Sequence, residues 1–165
     1  MRYPSDDVVA IVDALLPKAV ENARLMQARA LEVGKPMNDE WLSIARDLGV
    51  RHPEKVRVVV VRRIPKIATA DRLSRAEPLM TLNASIAGLA AGYGIYISRD
   101  YADKPWVLGH ELVHVAQFEE LGLEGLTRQL ITEKLTLPGR LIPIEREAID
   151  VSSRVLGIEP PPYAF

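Results

Sequence analysis

Residues 105–121 constrain this chain more than any other stretch. Pro105-Trp106-Val107-Leu108-Gly109-His110-Glu111-Leu112-Val113-His114-Val115-Ala116-Gln117-Phe118 follows Asp103, a capping residue, and is followed by Gly122. Proline is tolerated in a first turn and glycine stops a helix, so the segment predicts one helix of four to five turns. Four residues of helix advance a side chain by about 400°, which puts His110 and His114 on one face, one turn apart. Two imidazoles so placed can meet a single divalent ion. Glu111, rotated about 100° from His110, flanks that position without needing to ligate. A carboxylate there can take a proton from water acidified by the ion. The chain has 3 histidines, and two of them fall inside this motif. Independent placement gives such a match at roughly 0.4%, so a metal-binding reading is preferred to coincidence.

A catalytic zinc site takes three protein ligands and keeps one position open. The candidate carboxylates downstream are Glu119, Glu120, Glu124, Glu133, Glu145, Glu147 and Asp150. Glu119 and Glu120 lie roughly 180° and 280° around the helix from His110 and point elsewhere. Residues 143–156 open with proline and stop at Gly157, as a second helix does. On its helical wheel Ile144, Ala148, Ile149, Val151, Val155 and Leu156 form an apolar arc, with Glu145 inside it. Glu147 falls on the polar side with Arg146, Asp150 and Arg154, as a solvated surface charge. A carboxylate on a core-facing arc is costly unless it is paired, neutralised or metal-bound, so Glu145 is the expected third ligand. Ala148, one turn further on, is small enough to let the two helices approach closely.

These residues resemble a known family. His110-Glu111-Leu112-Val113-His114-Val115-Ala116-Gln117, followed by Glu145-Arg146-Glu147-Ala148, resembles the gluzincin branch of zinc metallopeptidases, in particular compact bacterial members with H-E-L-x-H-V-x-Q and then E-x-x-A. The resemblance covers residues 94–156. It implies that His110, His114 and Glu145 bind Zn2+, that Glu111 is the general base, and that the substrate is a peptide or protein. It also implies that the strand before the active-site helix, 94–98, is a sheet edge to which substrate pairs. Many gluzincins carry an aspartate after the alanine to support a zinc histidine. Here that position is Ile149, which leaves Asp150 or a backbone carbonyl for the duty. For stabilising an oxyanion, Tyr93, Tyr96, Tyr101, His52 and several arginines all stand as candidates. A catalytically weak or inert binding or regulatory module on the same scaffold is the alternative function.

The rest of the chain supplies the frame. Its 165 residues suit a single domain, 1–165. Ser5 or Asp6 can cap a helix through Leu16 that Pro17 should kink or end. A second helix is expected over 18–33, and Asn38 or Asp39 can cap a third that Gly49 closes. Residues 1–50 are thus expected to form a helical layer. The β-branched run from Val56 to Ile64 predicts a strand, 79–94 a helix or loop, and 94–98 a short strand. The predicted class is α+β and zincin-like: N-terminal helices on a small mixed sheet, an active-site helix and a C-terminal helix.

With no cysteine and a formal charge of −1, thiol chemistry, disulfides and any global electrostatic pull toward nucleic acid or membrane are excluded. The basic groups Arg51, Lys55, Arg57, Arg62, Arg63, Lys66, Arg72 and Arg75 lack interleaved aromatics and read as a solubilising sheet edge rather than a nucleic-acid groove. His52, in a turn, reads as a surface residue. Asp6, Asp7 and Pro4 interrupt any secretory pattern, and no apolar run approaches a membrane span, so a cytoplasmic location is expected.

Overall fold

The computed structural model describes residues 4–64 and 87–159. Helix α1 (Asp6–Val33) starts where Ser5 Oγ accepts the Val8 N–H. It continues through Pro17, so the helix does not end there and residues 18–33 belong to α1 rather than to a second helix. Proline removes one backbone hydrogen bond. Here Val12, Leu15 and Leu16 before it, and Ala19 and Val20 after it, are all buried. That continuous stripe, with α1 packed on the histidine-bearing helix and the sheet, supports one helix through the proline. Helix α2 (Asp39–Asp47) is capped by Asn38, whose Oδ1 accepts from Trp41 N at 2.9 Å.

Three strands form a mixed sheet: β1 (Arg57–Val61), β2 (Gly88–Ala91) and β3 (Gly94–Ser98). Their order is β1-β3-β2. β1 runs parallel to β3, from Arg57 opposite Gly94 to Val61 opposite Ser98. β2 and β3 form an antiparallel hairpin from Ala91 opposite Gly94 to Gly88 opposite Ile97. Residues 94–98 are therefore the central strand, buried along their whole length, and not the edge that the resemblance implies. Both hydrogen-bonding sides of β3 are occupied, so no peptide can add to it. Residues 88–91 are strand rather than helix or loop; the expectation for 79–86 lies outside the described residues.

The histidine-bearing helix α3 (Pro105–Thr136) consists of two arms that meet at Gly122. Gly122 interrupts the helix where the sequence predicts its end, at φ 73° and ψ 167°, a conformation open essentially to glycine alone. Residues 123–136 continue as a second arm. Helix α4 (Pro143–Leu156) ends at Gly157 in the left-handed conformation (φ 64°). The main core gathers Val56, Ile95 and Ile97 from around the sheet, Val107, Leu112 and Val115 from α3, and Ala148 from α4. Ala148 is fully buried where α3 and α4 pack together. The chain is thus α+β, with four helices and a small mixed sheet among the described residues. Within them, no helix is long and apolar enough to cross a membrane.

One carboxylate ties α3 to the turn that leads into β1. Glu119 accepts from Arg51 N at 2.6 Å and His52 N at 2.9 Å, and Tyr93 OH donates to it at 3.1 Å. Its side chain is only 2% exposed. Truncating a buried acceptor leaves its donors unsatisfied. Glu119→Ala should therefore lower unfolding stability by about 2–3 kcal/mol. Urea titration should show a reduced midpoint at unchanged slope.

Candidate metal centre

The first arm of α3 carries His110, Glu111 and His114, and the first turn of α4 carries Glu145. The structure brings His110, His114 and Glu145 together as a group able to hold a metal ion. The two Nε2 atoms are 3.1 Å apart. Glu145 Oε2 lies 3.2 Å from His110 Nε2 and 3.4 Å from His114 Nε2. Bonds of about 2.0–2.1 Å to one tetrahedral ion require donors about 3.3 Å apart. The three residues fit a cation with little movement.

Gln117 fixes the chemistry of His114. Its Nε2 donates to Ile144 O at 3.1 Å and Glu147 Oε2 at 2.8 Å, both of which can only accept. The amide oxygen must then face His114 Nδ1, at 2.7 Å. An amide oxygen only accepts, so Nδ1 carries a proton, and whenever the ring is neutral its Nε2 lone pair faces the cluster. Gln117 thus does what Asp150 or a backbone carbonyl was expected to do; Asp150 is exposed. Glu147 is also exposed, yet it is not merely a solvated charge, because it anchors the Gln117 amide. The signal for Gln117 was its spacing: three residues after His114 on a helix, it shares that face.

A second residue that sequence reasoning missed is Lys134, on the second arm of α3. Its Nζ lies 3.4 Å from Glu145 Oε1, and its side chain is 11% exposed. Its neighbour Glu133 accepts the Ile144 N–H at 3.1 Å, serving the otherwise uncapped start of α4.

Burial and charge shift the site's groups in opposite directions. Burial pushes the Glu111 carboxyl up, against the pull of His110, His114 and Lys134. Burial also opposes charge on Glu145, but His114, His110 and Lys134 together hold it well below the usual carboxylate range. Burial disfavours the His114 imidazolium, yet Glu145, Glu111 and the Gln117 contact raise it to about 9. Burial lowers the Lys134 ammonium despite Glu145 beside it. The cluster favours positive charge among its donors.

The other candidates lie apart from it. Glu119 points to the 51–52 turn, as its wheel position predicts. His52 is half exposed, 3.5 Å from Glu54. The Tyr93 hydroxyl is taken by Glu119 and that of Tyr96 by Met26 O, at 2.7 Å. In the basic segment, Arg51 and Arg57 bond backbone carbonyls and Lys55 sits 5.5 Å over the Tyr93 ring; Lys66, Arg72 and Arg75 lie outside the described residues.

Comparison with protein-family models, curated proteins and solved structures finds no match to this chain.

Residues that orient a metal histidine typically change affinity by about 10–100-fold when removed. Gln117→Leu should weaken metal binding by about that factor, measured by competition with a chelator, while far-UV circular dichroism stays unchanged.

Proposed function

We propose that this chain is a zinc-dependent peptidase on a zincin-like fold, with His110, His114 and Glu145 holding the metal and Glu111 as general base. The observation that carries the reading is the spacing of 3.1–3.4 Å among two Nε2 atoms and one carboxylate oxygen. Two imidazoles and one carboxylate suit zinc, whereas calcium and magnesium favour all-oxygen sets and higher coordination numbers. The resemblance of 110–117 and 145–148 to the gluzincin motifs supports the same assignment.

Bound zinc supplies Lewis acidity, which polarises a carbonyl and acidifies water. The chain's own residues do the rest. Gln117 keeps the His114 proton on Nδ1 and so keeps Nε2 free to ligate. Glu111 follows His110 on the same helical turn, and burial raises its proton affinity. A carboxylate with raised pKa is a better base toward water and a better acid toward a leaving amine. Its role is to take the proton from water and deliver it to the departing nitrogen of the cleaved peptide bond.

One observation favours a second reading, an inert binding or regulatory module on the same scaffold. Glu111 is 4% exposed, and a Cβ on Gly88 of β2 would fall 2.7 Å from its Oε1. The carboxylate is thus tightly enclosed.

Wild type and two variants separate the readings. Wild type should retain about one zinc per chain and cleave a broad peptide library. Glu111→Gln should keep the zinc and lose about 10²–10⁴-fold in rate. Glu145→Ala should lose the zinc; binding as tight as wild type would remove Glu145 from the ligand set. Zinc retention with no cleavage by either wild type or Glu111→Gln favours the inert module.

A further inference from the structure

The two oxygens of Glu145 have different partners. Oε2 faces the histidines, at 3.2 and 3.4 Å, while Oε1 is 3.4 Å from Lys134 Nζ. We propose that Lys134 is a positioning residue that limits Glu145 to one-oxygen ligation of the metal, an inference that rests on the metal-centre reading above.

The local build supports this. The bend at Gly122 starts a second arm whose residues 133 and 134 both act on the first turn of α4. Glu133 Oε2 holds the Ile144 N–H, and its Oε1 accepts from Gln129 Nε2 at 2.8 Å. The α4 backbone next to Glu145 is thereby tied to the arm that carries Lys134. The ammonium then engages the oxygen that does not face the imidazoles. A carboxylate is free to give one or both oxygens to a metal. Here an ammonium already lies 3.4 Å from one of them, on a side chain with little access to solvent. One-oxygen ligation keeps the coordination number low, which suits a site that must leave a position open for reaction.

Cobalt(II), whose visible bands are intense in four-coordinate sites and weak in five- or six-coordinate ones, reads this directly. Wild-type protein loaded with cobalt alone should show the intense bands. Lys134→Met should still bind about one cobalt per chain, as the metal replaces the ammonium as partner to Glu145, but lose band intensity. Lys134→Arg keeps a cationic N–H donor and should regain the intensity. Far-UV circular dichroism of the loaded variants checks the fold. An unchanged spectrum in folded Lys134→Met overturns the proposal, as does complete loss of cobalt binding by that folded variant. Crystals of the cobalt-loaded wild type give a second readout that needs no variant. Glu145 Oε1 should stay in contact with Lys134 Nζ, and both oxygens on the ion would overturn the proposal. Wild type that takes up no cobalt overturns the metal centre itself, an outcome distinct from the others.

Discussion

Two imidazole nitrogens and a carboxylate oxygen, none more than 3.4 Å from another, bring lone pairs and negative charge to one point. Such donors repel unless a proton or a metal ion lies among them. Much of the architecture can be read as meeting that requirement. α3 supplies both imidazoles from one face, α4 brings the carboxylate across, and Ala148 lets the two helices pack closely. The raised proton affinity of His114 and the depressed one of Glu145 are two sides of the same demand for a cation.

Around the donors, hydrogen bonds remove the remaining freedom. Gln117 links three elements of the problem at once: the His114 tautomer, the Ile144 carbonyl and the Glu147 carboxylate. The second arm of α3 does the same for α4, capping its start through Glu133 and pairing Glu145 through Lys134. Side chains fixed by packing and by further hydrogen bonds hold a constellation more tightly than the donors could alone. At the far end of the first arm, Glu119 ties α3 to the turn entering β1.

What could be read in the sequence was what local chemistry decides. Ser5, Asn38 and Gly157 mark helix ends through their own side chains or lack of one. The 3.6-residue period puts His110 and His114 on one face and Glu145 on an apolar arc, and the structure brings the three together. Tertiary contacts decided the rest. Pro17 sits within an unbroken helix because the stripe on both sides of it is buried. Gly122 interrupts α3 as its residue type predicts, but the second arm beyond it is placed by contacts with α4, through Glu133 and Lys134, and with α1, through Arg128 and Asp13, which local periodicity does not reach. The short Gly/Ala-rich strand β2 has little intrinsic strand preference and exists through pairing with β3. The central place of β3 is a fact of topology, which no run of five residues encodes. Gln117 stood inside the motif, but its role depends on Ile144 and Glu147, 27 and 30 residues away.

The most direct test of a shared cation is diffraction from zinc-loaded crystals at energies on either side of the zinc absorption edge. The account predicts one anomalous peak per chain, about 2.0–2.1 Å from His110 Nε2, His114 Nε2 and one oxygen of Glu145. A peak elsewhere, or Glu145 turned away from both imidazoles with no other donor in its place, would contradict it.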